Sequence, residues 1–156
     1  MNISISIEQP RQTDVESLLT AGSAFAHSLY PEESTFLLST TELERPGVTV
    51  YVARDERGIA CGMAALVPLA DTAAGPTAEL KRLFVAESTR GHGIAGRLLA
   101  HIEADAAGRG IRSIALETGP LQHAAMALYR GRGYAQIELF GQYVGEKFSV
   151  CFAKAL

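Results

Sequence analysis

A glycine-rich segment, Arg90-Gly91-His92-Gly93-Ile94-Ala95-Gly96, most restricts how this chain can fold. Residues 78–85 before it are predicted as a strand. The apolar residues after it recur every four positions and predict a helix: Ile94, Leu98, Ile102 and Ala106. Glycines let a ligand approach the backbone closely, and a helix start presents unpaired N–H groups at the positive end of its dipole. The segment therefore predicts a strand, a loop and a helix around an anion site for phosphate or pyrophosphate, with Arg90 adding a positive charge.

Other phosphate-binding loops differ from this segment. A Walker loop needs Lys followed by Ser or Thr after its second glycine, and the segment lacks that pair. A dinucleotide-binding loop follows the first strand of a βαβ unit, whereas this segment follows the fourth predicted strand. A helix start whose glycines only relieve crowding stays open as the simpler explanation.

The remaining periodicity predicts an α/β fold of the mixed α+β kind, with helices on the faces of one sheet. Strands are predicted over residues 3–7, 48–53, 59–69, 78–85, 111–116, 134–140 and 148–153. Helices are predicted after residue 13, over 40–44, after the glycine segment and over 121–129. Thr13 and Glu16 have the spacing of a capping box at the first helix.

Bulk properties exclude several classes of protein. A length of 156 residues fits one domain, residues 1–156, and the chain shows no repeat or linker. No apolar run reaches the roughly 20 residues that span a bilayer, and residues 1–8 do not resemble a signal peptide. We therefore expect a cytoplasmic protein without a membrane partner. The net charge of -3 argues against a nucleic-acid partner, and no Cys/His cluster has the spacing of metal ligands.

Four motifs together resemble the GNAT family of N-acetyltransferases. Arg90-x-x-Gly93-x-Ala95 resembles the acetyl-CoA signature of that family, Arg/Gln-x-x-Gly-x-Gly/Ala, and residues 79–85 resemble its fourth strand. Leu116-Glu117-Thr118-Gly119 and Ala125-x-x-Leu128-Tyr129-x-x-x-Gly133-Tyr134 resemble its fifth strand and the helix that follows. Residues 140–143 and 149–152 resemble a bacterial branch of small single-domain members. The resemblance covers nearly the whole chain and implies the acyl-CoA N-acyltransferase fold, with a central mixed sheet of about six to seven strands and about four helices.

The resemblance implies acetyl-CoA as co-substrate, without a metal. Its pantetheine arm would lie between the fourth and fifth strands and pair with the fourth like an added strand. The pantetheine contacts would then fall on the backbone of Leu83 and Val85, with Phe84 between them. The pyrophosphate would lie on Arg90, Gly91, His92, Gly93, Ile94, Ala95 and Gly96. Gln122 replaces the Asn that bonds the pantetheine arm in many members, which keeps an amide but departs from the family pattern.

The resemblance also implies catalytic roles. Tyr129 matches the tyrosine that protonates the departing thiolate, and packing at a helix end is its alternative role. Glu79 lies where some members place the general base; alternatively, it is a solvated glutamate paired with Lys81 or Arg82. Glu117 is a second candidate for the base. We expect His92 at the surface rather than in catalysis.

The implied reaction is transfer of an acetyl group to a primary amine of a small molecule or peptide, by direct attack in a ternary complex. Residues 29–34, with Tyr143, would form the acceptor pocket, where Glu32 and Glu33 either attract a cationic amine or belong to a solvated loop. A non-catalytic acetyl-CoA sensor and an acyl-enzyme on Cys61 are the alternatives. The resemblance leaves a homodimer open.

Overall fold

Seven strands and four helices follow one another in the predicted order, in a computed structural model that describes residues 1–156. In chain order they are β1 (Ser4–Ile7), α1 (Thr13–Leu29), α2 (Thr40–Leu43), β2 (Thr49–Arg54), β3 (Ala60–Pro68), β4 (Thr77–Val85), α3 (Ile94–Gly108), β5 (Ser113–Thr118), α4 (His123–Gly131), β6 (Ala135–Ile137) and β7 (Val150–Ala155). The sheet order is β1-β2-β3-β4-β5-β7-β6. Only β4 and β5 run parallel. The predicted mixed α/β sheet is confirmed.

The helices cover both faces of the sheet. On one face, α3 buries the predicted stripe, including Leu98 and Ile102, in a cluster that also holds Tyr129 of α4. On the other face, Val15 and Leu18 of α1 pack on β2 and β3. No helix combines the length and apolarity that crossing a bilayer requires.

The first helix corrects one prediction. Thr13 is already helical, Gln12 is the N-cap, and no side chain caps the helix start, so the predicted capping box of Thr13 and Glu16 is wrong. The capping box of the chain lies at α2, where Ser39 and Glu42 bond each other's backbone N–H groups. Spacing alone could not separate the two, because it does not fix which residue enters the helix first.

Strands β4 and β5 separate partway along their length. They pair only from Thr77 opposite Ser113 to Leu80 opposite Leu116. Beyond that point β5 continues along β7, and β4 continues along β3. The edge of β4 that faces β5 is therefore open over residues 82–85.

A bulge marks the point of separation. Arg82 has a φ of 59°, which is rare outside glycine, and the pairing of β3 with β4 shifts register there. The Arg82 guanidinium donates to the Leu19 carbonyl at 2.6 Å and to the Ser23 hydroxyl at 3.1 Å. These contacts with α1 hold β4 in the bulged conformation that opens the cleft.

Candidate active site

The glycine loop presents a row of free backbone donors. Gly91 and Gly93 have φ values of 82° and 72°, in the left-handed region that favours glycine, and no atom lies within 4 Å of where a Cβ would stand. None of the amides from Gly91 to Gly96 donates a hydrogen bond within the chain. Unpaired amides at the start of a 15-residue helix have the arrangement that binds anions, as the anion-site prediction requires. Ala95 and Gly96 are half-buried, whereas residues 91–93 are exposed.

Arg90 lies beside this loop and is held in place. Its Nε donates to the Val85 carbonyl at 3.2 Å. Its guanidinium carbon lies 5.7 Å from the ring centre of Phe25 and 5.4 Å from that of Phe84. Its positive charge is therefore fixed between the loop and the open edge of β4. His92 is exposed, as expected, and its Nδ1 lies 3.1 Å from the Thr89 carbonyl.

A cleft enters the sheet where β4 and β5 separate, and α1 covers it. Residues 80–84 of β4 line one side. The other side is lined by the end of β5, the N-cap of α4 and the last turn of α4, with Glu117, Thr118, Gly119, Gln122 and Tyr129. Leu83 and Phe84, two of the predicted pantetheine contacts, thus lie on the cleft wall.

Tyr129 is buried, with 6% of its surface exposed, yet it lines the cleft. Its ring packs against Tyr134 and Phe152. Its hydroxyl has no hydrogen-bond partner within the chain and remains accessible from the cleft, since no fully buried polar side-chain atom lacks a partner. Burial, together with the charge of Glu117, raises the pKa of Tyr129. The phenol stays protonated at neutral pH and can donate its proton to a group in the cleft.

Glu117 presents a carboxylate to the same cleft. Ser149 donates a hydrogen bond to it at 2.6 Å. Burial raises the pKa of Glu117, although the hydrogen bond from Ser149 opposes this effect. A carboxylate whose pKa is shifted toward neutrality is suited to accept a proton.

Glu79 has different surroundings. It is buried and accepts a hydrogen bond from the Tyr143 hydroxyl, and the Lys81 ammonium lies 3.6 Å from its carboxylate. Lys81 also donates to the Tyr143 hydroxyl at 2.7 Å. Glu79 is therefore paired with Lys81, as the alternative to a catalytic role predicted. The pair is buried, however, and not exposed to solvent. Lys81 and Glu117 line the cleft, whereas Glu79 lies behind them.

Gln122 lies at the start of α4 and lines the cleft. Its side-chain oxygen accepts hydrogen bonds from the Gly119 amide at 3.0 Å and the Thr118 hydroxyl at 3.3 Å. Its Nε2 has no partner within the chain and is free to donate to a ligand.

Only some of the residues predicted to form the acceptor pocket line the cleft. Tyr30 and Ser34 line the cleft, but Glu32 and Glu33 are exposed. Tyr143 is buried behind the cleft. Sequence reasoning did not identify three aromatic residues that line the cleft, Phe25, Phe36 and Phe148. Phe148 could have been predicted from its position just before β7, because that strand pairs with β5 beside Glu117.

Comparisons with known proteins agree with this geometry. The model of the acetyltransferase (GNAT) family matches residues 14–134. An IAA acetyltransferase from Azospirillum brasilense is 36% identical over 156 residues, which cover 99% of each chain.

Two solved structures share the fold. A protein from Klebsiella pneumoniae, provisionally assigned as an acyl-CoA N-acyltransferase, superposes with a TM-score of 0.80 at 29% identity, covering 99% of this chain and 97% of that one. A GNAT family acetyltransferase from Elizabethkingia anophelis with acetyl-CoA bound gives a TM-score of 0.73 at 17% identity, covering 99% of both chains. The family match spans the open strand pair, the glycine loop and Tyr129, and this chain belongs to the acetyltransferase (GNAT) family.

Proposed function

We propose that this protein transfers the acetyl group of acetyl-CoA to a primary amine of a small molecule or peptide, by direct attack in a ternary complex. The observation that carries the proposal is a cleft whose wall holds an open strand edge, a phenol and a carboxylate. The unpaired amides of the glycine loop follow Arg90, whose guanidinium packs over Phe25 and Phe84 of the cleft wall.

Acetyl-CoA would supply the thioester whose carbonyl carbon is attacked. The amides of Gly91 to Gly96, with the Arg90 guanidinium beside them, would hold the pyrophosphate. Leu83, Phe84 and Val85 would bind the pantetheine arm through the open edge of β4, and the Gln122 Nε2 would donate to it. We assign stabilisation of the developing negative charge on the carbonyl oxygen to a backbone N–H of that same edge.

Protons move through two side chains. A carboxylate takes one proton from the bound ammonium, and the neutral amine nitrogen then forms the new C–N bond while the C–S bond breaks. Tyr129 donates its proton to the departing sulfur, which leaves as the free thiol. The extra proton on the new amide nitrogen then restores the Tyr129 hydroxyl, and the carboxyl releases its proton to solvent. For the carboxylate, the contacts favour Glu117 over Glu79, because Glu117 lines the cleft with Tyr129 whereas Lys81 and Tyr143 already engage Glu79.

Thiol release from acetyl-CoA against a panel of primary amines tests this function. We expect release that depends on the amine, with an N-acetylated product in the mass spectrum. Binding of acetyl-CoA without turnover across the panel would instead identify a sensor. The acyl-enzyme alternative predicts an acetylated chain when no amine is present, but Cys61 is buried, burial raises the pKa of its thiol, and it does not line the cleft.

Replacing Gly93 by Ala is expected to weaken acetyl-CoA binding by roughly tenfold. The left-handed backbone at this position costs a residue with a Cβ roughly 1–2 kcal/mol. A loop that relaxes this strain turns its amides away from the pyrophosphate. Calorimetric titration measures the change. Gly108→Ala at the other end of α3, where φ is not positive, is the matched control and should bind normally. Unchanged affinity in Gly93→Ala would place the pyrophosphate elsewhere.

A further inference from the structure

Aromatic side chains also line the cleft that holds Tyr129 and Glu117. Tyr30, Phe36 and Phe148 line it. The rings of Tyr30 and Phe148 lie 5.9 Å apart at an angle of 48°, and Phe36 packs edge-on against Tyr143 at 5.0 Å. Tyr30 and Phe36 come from the segment after α1, and Phe148 lies two residues before β7. Together they make this part of the cleft wall apolar and aromatic.

Contacts on both sides hold the Tyr30 ring. The Leu121 amide donates to its hydroxyl at 3.0 Å. A Cβ at position 119 would overlap that hydroxyl, so the ring needs glycine there. Tyr30 and Glu117 line the same cleft. Burial raises the pKa of Tyr30, and the charge of Glu117 adds to this effect.

The charges of this pocket are not balanced. Lys81 neutralises Glu79 at 3.6 Å. Glu117 has only the neutral Ser149 hydroxyl as a hydrogen-bond partner, and its carboxylate forms no salt bridge within the chain. Lys81 also acts on Glu117, so one cation serves two carboxylates and balances only one of them. Buried charges in proteins are normally paired. The missing cation of Glu117 is therefore expected on the ligand.

We propose that the acceptor is a primary amine carried on an aromatic or similarly flat apolar body, the arylalkylamine class, with its ammonium at Glu117 and its ring among Tyr30, Phe36 and Phe148. The proposal rests on the function proposed above and specifies its substrate class. An ammonium beside aromatic faces gains further stabilisation from the rings. An amino acid would bring its own carboxylate toward Glu117 and Glu79. A polyamine would place its second charge against an apolar wall.

A panel of four amines tests the substrate class: 2-phenylethylamine, n-propylamine, phenylalanine and spermidine. We expect kcat/KM for 2-phenylethylamine to exceed that for each of the others by at least about tenfold, since a pocket fitted to an apolar group discriminates at that level. Phe148→Leu should lower kcat/KM for 2-phenylethylamine by roughly fivefold and leave n-propylamine within about twofold. The exposed pair Glu32→Gln and Glu33→Gln is the control and should not change the preference.

The outcomes are distinguishable. A preference for spermidine, phenylalanine or n-propylamine would overturn the substrate class and leave the acetyl transfer standing. An equal loss with 2-phenylethylamine and n-propylamine in Phe148→Leu would show that the ring supports the fold rather than the substrate, and would also overturn the proposal. No turnover with any amine, while acetyl-CoA still binds by calorimetry, would overturn the proposed function and the substrate class together.

Discussion

Replacing Glu117 by Gln is expected to lower kcat for amine acetylation by about 100-fold or more, the range seen when a general base is removed. The amide keeps the size of the side chain and can still bond Ser149, but it cannot accept a proton from the amine. Steady-state kinetics at saturating acetyl-CoA measure the loss. Calorimetric affinity for acetyl-CoA should stay unchanged, because the predicted coenzyme contacts do not include Glu117.

The pH profile assigns the loss to a proton acceptor. Burial raises the pKa of Glu117, so its carboxyl takes up a proton at a higher pH than an exposed glutamate does. The active form is the carboxylate. The activity of the natural chain should therefore fall as the pH is lowered through that raised pKa, and Glu117→Gln should lose this acidic limb.

Glu79→Gln is the matched comparison, because the sequence pointed first to Glu79. Its substitution leaves Lys81 without a charged partner, so we expect the protein to become less stable. The acidic limb of the pH profile should be retained. If Glu79→Gln removed the acidic limb and Glu117→Gln kept it, Glu79 would be the base and the assignment of Glu117 would be wrong.

Most of the fold could be predicted from the sequence because its information is local. The stripe from Ile94 to Ala106 and the alternation in β1 each reflect the period of a single element, and the structure confirms both elements. The glycine loop is local as well, since left-handed residues at a helix start depend on glycine at those positions. Helix starts do not follow from spacing alone: Thr13 and Ser39 both precede a glutamate by three residues, but only Ser39 caps a helix.

The bulge that opens the cleft could not be predicted in this way. Arg82 is not a residue type that favours a positive φ, and bonds to Leu19 and Ser23 of α1 hold it. These partners lie about 60 residues earlier in the chain. No pattern around Arg82 indicates them.

Which of the two carboxylates is the general base also depends on contacts between distant parts of the chain. Sequence reasoning found both Glu79 and Glu117, but their surroundings depend on Tyr143 and Ser149, which reach them from the end of the chain. Strand alternation gives the face on which a side chain lies and not its partner on that face. The pairing of β5 with β7 decides that Ser149 bonds Glu117.

Replacing Tyr129 by Phe is expected to lower turnover by about 100-fold while acetyl-CoA affinity stays within about twofold. The ring contacts with Tyr134 and Phe152 are kept, so the cleft wall is unchanged, and only the proton for the departing sulfur is lost. Thiol release at saturating acetyl-CoA and amine measures turnover, and calorimetry measures affinity.

Tyr134→Phe is the control for this substitution, because it removes the hydroxyl of the neighbouring ring in the same cluster. That hydroxyl donates to Glu103 at 3.1 Å, so its loss should cost about 1 kcal/mol of stability and leave turnover unchanged. Near-normal turnover in Tyr129→Phe would remove Tyr129 as the acid. The Tyr129 hydroxyl has no hydrogen-bond partner in the protein and remains accessible from the cleft, whereas the Tyr134 hydroxyl donates to Glu103. A phenol that is free in the unliganded protein can bond a group bound in the cleft, and the departing sulfur is the partner that the proposed reaction would bring to it.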